Sequence, residues 1–155
     1  LVKGVNRAWD AGLVVVVAAG NNGPRTMSIT TPGISRKVIT VGCSDDDREV
    51  LVGGNRMVDY SGRGPTAACI CKPDLVAPGC SVVSCSSRAD KYTIKSGTSM
   101  STPIVSGAVA LLLERFPDMT NKDVKLRLRE SSVDIGLPRN QQGWGLLDVG
   151  KMIGK

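Results

Sequence analysis

The stretch Leu13-Val-Val-Val-Val-Ala-Ala19 decides the fold class of this 155-residue sequence. A short, uninterrupted and largely β-branched apolar run is typical of a strand that is buried on both faces of a parallel sheet. Val38-Ile-Thr-Val-Gly42 predicts a second strand of the same kind. Because helical patterns alternate with these strands, we expect an α/β protein: a parallel sheet with helices on both faces, in three layers.

Helices are predicted on either side of the strands. Residues 1–11 repeat apolar side chains at helical spacing, and Gly12 favours a stop. Residues 99–116 predict a second helix, whose segment 104–113 is apolar or small on every side and is therefore expected to be enclosed. The other elements expected are a hairpin over residues 50–58, short strands over 81–85 and 92–95, a loop-rich crossing over 61–80, a helix capped by Thr120 and Asp123, and a terminal helix over 149–153.

Composition and charge exclude several classes of protein. The apolar fraction of 41% is that of an ordinary globular domain, and no apolar run approaches the ~18 residues that a membrane span needs. The net charge of +6 comes from lysines and arginines scattered along the chain without an aromatic platform, so we expect neither a nucleic-acid partner nor a membrane partner. The sequence contains no histidine, so catalysis that needs an imidazole is incomplete within this chain.

The cysteines predict neither a disulfide framework nor a metal site. They are Cys43, Cys69, Cys71, Cys80 and Cys85, an odd number. Their spacing lacks the paired C-x2-C of zinc ribbons, and no histidine can complete a mixed site, so no metal ligand is expected. We interpret them as buried fillers in a protein from a reducing compartment. Asp45-Asp-Asp47 is interpreted as a solvated turn rather than a calcium loop.

The stretch Ser96-Gly-Thr-Ser-Met-Ser-Thr-Pro103 stands directly before the apolar helix. Because proline is tolerated in the first turn of a helix, Ser99 is expected at or just before the helix N-terminus. A serine oxygen there meets free backbone amides and the positive end of the helix dipole, which favour developing negative charge. The alternative is that Ser99 only caps the helix, since serine is a preferred cap residue.

A second candidate group, Ala18-Ala-Gly-Asn-Asn-Gly23, follows the first buried strand. Ligand sites in open α/β sheets lie at the carboxyl ends of strands, so a carboxamide there is expected to face a crevice. An asparagine amide can donate a hydrogen bond to an oxyanion. The alternative is an ordinary turn, because Asn-Gly pairs are common turn formers.

Five motifs follow one another along the chain: Ala18-Ala-Gly-Asn21, Ser61-Gly-Arg-Gly-Pro65, Lys72-Pro-Asp-Leu-Val-Ala-Pro-Gly79, Ser96-Gly-Thr-Ser-Met-Ser-Thr-Pro103 and Gly143-Trp-Gly-Leu-Leu-Asp148. In this order they resemble the subtilisin-like serine protease (subtilase) family over essentially the whole chain. The resemblance implies that residues 1–155 are the C-terminal portion of a subtilase catalytic domain, with no second domain.

The resemblance also implies roles for single residues. Ser99 matches the nucleophile and Asn21 the carboxamide of the oxyanion hole. The residues implied to bind substrate are Ala18, Ala19, Gly20 and Thr98. The family's catalytic Asp and His belong to the half of the domain that precedes Leu1, so this chain alone is expected to be inactive. The resemblance further allows calcium in the full-length parent, although no cofactor is expected in this chain.

The resemblance is compatible with two functions, which differ in whether the full-length protein cleaves the peptides that it binds. The first is a fragment of a serine endopeptidase, whose partners are a protein or peptide substrate and the missing N-terminal half of the domain. The second is an inactive, peptide-binding pseudoprotease with the same fold. In either case the neighbours of the strand at residues 14–18 lie upstream, so we expect this fragment to self-associate through that edge.

Overall fold

The apolar runs and turn residues of the sequence form five helices and seven strands in the computed structural model, which describes residues 1–87 and 91–154. In chain order these elements are α1 (Val2–Asp10), β1 (Val16–Ala18), β2 (Ile39–Cys43), β3 (Val50–Val52), β4 (Asn55–Met57), β5 (Leu75–Ala77), β6 (Val82–Cys85), β7 (Tyr92–Lys95), α2 (Thr98–Arg115), α3 (Asn121–Ser131), α4 (Arg139–Gln142) and α5 (Val149–Ile153). None of the described helices is long and apolar enough to cross a membrane.

The central sheet has three parallel strands in the order β1-β2-β5. Every residue of β2 is buried, as expected for the middle strand. The far edge of β5 is covered by the chain near Leu146, because Val76 donates its N–H to Gly145 and accepts the N–H of Leu147. Together with the helices packed on it, this sheet confirms the predicted α/β class.

Helix α2 supplies the main cover of the sheet, since it packs against all three strands. The shared core contains Ile39 and Val41 of β2 and Val105 and Leu112 of α2, and Trp9 of α1 joins it. The capped helix α3 also packs here. Its first turn carries the predicted capping box, in which the Thr120 hydroxyl accepts the Asp123 N–H and the Asp123 carboxylate accepts the Thr120 N–H.

The strand and the helix whose local patterns suit full enclosure both have open sides in this chain, and the open edge of the strand agrees with the expectation that its neighbours lie upstream. The strand predicted at residues 13–19 is a three-residue edge strand whose members are only half-buried, because β2 is its sole partner among the described residues. Helix α2 is not enclosed. The sheet covers one side of it, and its exposed side carries Ser106, Gly107, Ala110 and Leu111.

Two antiparallel ribbons stand outside the central sheet. In the first, β3 pairs with β4 around the predicted turn, whose central residues are Gly53 and Gly54. In the second, β6 pairs with β7, which confirms the short strands predicted there. The loop predicted over residues 61–80 contains the buried strand β5, and helix α4 was also not predicted from the sequence.

The cysteines and the acidic run also differ from expectation. Cys43 is buried as predicted, but Cys80 is half-buried, and three cysteines are exposed rather than serving as core fillers: Cys69, Cys71 and Cys85. Within the acidic run, Asp46 is only 3% exposed because its carboxylate accepts the backbone N–H of Ser61. Burial raises the pKa of Asp46. The predicted solvated turn is therefore correct only for Asp47.

A buried ion pair joins β2, β5 and α3. Oδ2 of Asp74 accepts hydrogen bonds from the Thr40 N–H at 2.7 Å and from Lys72 Nζ at 2.5 Å. Lys125 of α3 places its Nζ 3.6 Å from Oδ1 of the same carboxylate. Burial lowers the pKa of Lys72 to about 8, even though the neighbouring Asp74 carboxylate acts to raise it. Removing the carboxylate leaves buried cations without a counter-charge.

Asp74→Ala is expected to lower the free energy of unfolding by about 3–5 kcal/mol, the usual cost of breaking a buried pair from one side. The matched control is Asp10→Ala, which removes an exposed carboxylate that pairs with Lys37 at 2.6 Å and is expected to cost less than about 1 kcal/mol. Urea unfolding of both variants measures the difference. Equal losses would contradict the role given to Asp74.

Candidate active site

The start of α2 is fixed by the backbone of Gly97. Gly97 caps the helix with φ +140°, a conformation that side chains rarely adopt. Its N–H donates to the carbonyl of Gly79 at 2.9 Å, and its own carbonyl accepts the Met100 N–H at 2.9 Å. Ser99 is the second residue of the helix and is exposed, so its hydroxyl stands in solvent at the positive end of α2.

Pro103 lies in the second turn of α2, one turn later than the sequence analysis placed it. Proline has no N–H, and the residue four positions before it is Ser99. The Ser99 carbonyl therefore lacks the hydrogen bond that a regular helix would supply.

The carboxamide of Asn21 is oriented by Thr98. Its Oδ1 accepts the Thr98 N–H at 3.0 Å and the Thr98 hydroxyl at 3.0 Å, and that hydroxyl accepts the Gly20 N–H at 3.1 Å. Because a backbone N–H can only donate, the atom that faces it must be the carboxamide oxygen. The Nδ2 amide is thereby directed away from Thr98, and it lies 3.2 Å from the position that a Cβ would take at Gly97.

Two donors at this helix start have no acceptor within the described chain. The backbone N–H groups of Gly97, Thr98 and Met100 are all used, by Gly79, Asn21 and Gly97 in turn. In the first turn the Ser99 N–H has no acceptor among the described residues, and neither has the Asn21 Nδ2 amide. Asn21 and Ser99 line the same cavity, and a backbone N–H and a carboxamide N–H are donor types that can stabilise an oxyanion.

The predicted strand-end residues differ in their access to a ligand. Ala18 and Gly20 are half-buried, whereas Ala19 is fully buried, donates its N–H to Val41 and accepts the N–H of Thr30. Thr98 is likewise fully buried. Thr98 contacts Asn21 and has no exposed surface, whereas Ala18 and Gly20 keep part of their surface accessible.

Ser99 stands between two cavities. One, of about 490 Å³, is lined by Asn21, Ser99 and Met100, by the turn of the β3–β4 hairpin at residues 51–54, and by residues 94–96. The other, of about 380 Å³, lies between β6, β7 and the start of α2. The hairpin turn was not predicted as part of the site. Its Gly-Gly pair predicts a turn, but the sequence does not indicate which residues that turn lies beside.

A family model described as the subtilase family matches residues 1–145. The chain belongs to the subtilase family. The resemblance identified from the sequence motifs is therefore confirmed.

Individual subtilases match most of the chain. It is 43% identical over 145 residues to the serine protease AprX of Bacillus subtilis (strain 168), covering 85% of this chain and 33% of that protein. It is 34% identical over 151 residues to subtilisin DY of Bacillus licheniformis, covering 96% of this chain and 50% of that one. The solved structure of the prenylagaramide maturation protease PagA shares the fold, with a TM-score of 0.75 at 23% identity over 97% of this chain and 53% of that one. The chain thus spans between a third and about half of these proteins.

Gly97→Ala is expected to destabilise the chain by about 1–3 kcal/mol, because alanine is strained at this φ and its Cβ would press on Asn21 Nδ2. Gly107→Ala is the control within the same helix: its Cβ meets nothing within 4 Å, and it is expected to stabilise by about 0.5–1 kcal/mol. Chemical unfolding measures both. A neutral Gly97→Ala would show that the helix start tolerates other conformations.

Proposed function

We propose that the protein containing this chain is a serine endopeptidase that hydrolyses peptide bonds by acyl transfer, with Ser99 as its nucleophile. The observation that carries the proposal is the pair of free donors beside the Ser99 hydroxyl, the Ser99 N–H and the Asn21 Nδ2 amide. Relatives that cover most of this chain carry the name of serine proteases, which supports the same reaction class.

The chemistry follows from the charges that develop during acyl transfer. Attack of Ser99 Oγ on a peptide carbonyl places negative charge on the carbonyl oxygen, which the two donors and the positive end of α2 stabilise. The serine proton must pass to a base, and this chain contains no histidine. The proposal therefore assigns the imidazole, and the carboxylate that orients it, to a part of the protein outside these 155 residues.

Calcium has no role in this proposal. The resemblance allows it in the parent protein, but the acidic run does not fit a calcium site. Asp45 Oδ1 accepts the backbone N–H groups of Gly79 and Cys80, and Asp46 Oδ2 accepts that of Ser61. Among the described residues no three carboxylates bring their oxygens together, whereas calcium takes about six to eight oxygen ligands.

The deciding experiment is labelling with a fluorophosphonate probe, alongside hydrolysis of a peptide substrate. The parent protein is expected to be labelled and active, and its Ser99→Ala variant to be neither. This chain alone is expected to be inert, since a serine without its base is a poor nucleophile. Stoichiometric labelling of Ser99 in this chain would contradict that expectation. A parent that binds peptides without labelling or cleavage would instead be the pseudoprotease.

In an active parent, Asn21→Leu is expected to lower kcat by ~10²–10³-fold with little change in KM, because its hydrogen bond forms mainly in the transition state. Asn22→Leu is the matched control, since Asn22 is the exposed neighbour and is expected to leave kcat unchanged. Steady-state kinetics on one peptide substrate measures both. If only the Asn22→Leu variant had a lower kcat, Asn22 rather than Asn21 would be the oxyanion donor.

The chain by itself is expected to self-associate. Strand β1 is an edge of the sheet, and residues 14–18 are apolar, uncharged and free of proline, which suits pairing with another chain. Light scattering over a concentration series measures this. A stable monomer at high concentration whose amides at residues 14–18 exchange slowly would show that the edge is closed within one copy.

A further inference from the structure

A cluster of two thiols, a carboxylate and a phenol lies behind the start of α2. Cys43 Sγ, Asp45 Oδ1 and Cys80 Sγ are all within 4.8 Å of one another. Cys43 Sγ is 3.1 Å from Asp45 Oδ1, and the Tyr60 hydroxyl is 3.2 Å from Cys43 Sγ and 3.1 Å from Cys80 Sγ. None of these residues lines the two cavities at Ser99, so the cluster is separate from the candidate active site.

These ligand atoms, within 4.8 Å of one another, are close enough to converge on a small tetrahedral cation after modest side-chain movement. A zinc ion with bonds of about 2.3 Å to sulfur and about 2.0 Å to oxygen holds its ligand atoms roughly 3.3–3.8 Å apart. Two sulfurs and one carboxylate oxygen are also the donor set that thiophilic divalent cations select over calcium or magnesium. The ligands come from the end of β2 and from the turn after β5, which the parallel sheet brings to one edge.

The surroundings of the cluster orient its carboxylate. Asp45 Oδ1 accepts the Gly79 N–H at 2.7 Å and the Cys80 N–H at 3.1 Å, and such hydrogen bonds fix the direction of a ligating group.

An orphaned hydroxyl points to the same space. Ser101 is fully buried, and its Oγ has no hydrogen-bond partner within the described residues. A Cβ at Gly79 would overlap that oxygen and would lie 2.8 Å from Cys43 Sγ. Buried hydroxyls nearly always have a partner, so this one indicates that an occupant completes the region.

We propose that Cys43, Asp45 and Cys80 bind a thiophilic divalent cation of the zinc class, with the Tyr60 hydroxyl beside both sulfurs. Binding forms two metal–sulfur bonds and one metal–oxygen bond and releases the two thiol protons to solvent, without any redox change. The cation joins the end of β2 to the Gly79–Cys80 turn. Because the Gly79 carbonyl accepts the Gly97 N–H, the site braces the start of α2.

The test is a titration with Cd²⁺ alone, read by the ultraviolet cadmium–thiolate charge-transfer band, with Zn²⁺ as competitor. The chain is used as a Cys69→Ser, Cys71→Ser, Cys85→Ser variant under a phosphine reductant, so that only the two proposed ligand thiols remain. We expect one equivalent of Cd²⁺ to bind, Zn²⁺ to displace it, and the melting temperature to rise with metal.

Further variants separate the proposed ligands from their neighbours. Cys80→Ser is expected to abolish the band, and Asp45→Asn to weaken binding at least tenfold. Asp47→Asn is the matched control, because Asp47 is exposed in the same acidic run and should leave binding unchanged. Circular dichroism of each apo variant checks that it is folded.

Several results would overturn the proposal, all independent of peptidase activity. They are no cadmium band in the variant that keeps Cys43 and Cys80, a band that survives Cys80→Ser, or equal effects of Asp45→Asn and Asp47→Asn.

Discussion

The carboxylate of Asp74 is the group on which the arrangement of this chain depends. Its side chain binds the Thr40 N–H and Lys72, its own N–H donates to the Thr40 carbonyl, and its carbonyl accepts the Trp144 N–H. One residue thus holds β2 against β5 and ties the C-terminal turn to both. A buried charge is tolerated only when it is paired and hydrogen-bonded, so the register that satisfies Asp74 excludes neighbouring registers.

That register determines where the site is built. Pairing of β2 with β5 places the Gly79 carbonyl under the start of α2, where it accepts the Gly97 N–H. Pairing of β2 with β1 places Asn21 at the same sheet edge, within reach of Thr98. Neither strand end carries the site alone. The helix start lies between them because each supplies one acceptor for its free N–H groups.

The sequence predicts the parts of this architecture that depend on local pattern. Neighbouring residues are enough to predict three of these parts: the helix cap at Thr120, the Gly53-Gly54 turn and the wholly buried β2. Strand β5 is not among them, because Leu75-Val-Ala77 is only three residues long between prolines, and its burial comes from β2 and from the distant Leu146. Local pattern also does not show which face of α2 is exposed, because small residues such as Gly107 suit an enclosed helix and an exposed one equally well.

The candidate site likewise has parts that the sequence predicts and parts that it does not. Ser99 and Asn21 were found through motifs, but the roles of Thr98 and Gly79 depend on hydrogen bonds between residues far apart in sequence. Thr98 uses its N–H and its hydroxyl on one carboxamide oxygen, so a single buried residue determines which way Asn21 points. The neighbouring N–H, that of Ser99, is left free by the same geometry. On the function proposed here, both oxyanion donors are therefore oriented by bonds inside this chain before any substrate arrives, and such preorganised donors need no rearrangement as charge develops. The proton acceptor is a separate requirement, because it depends on an imidazole that no residue of this sequence provides.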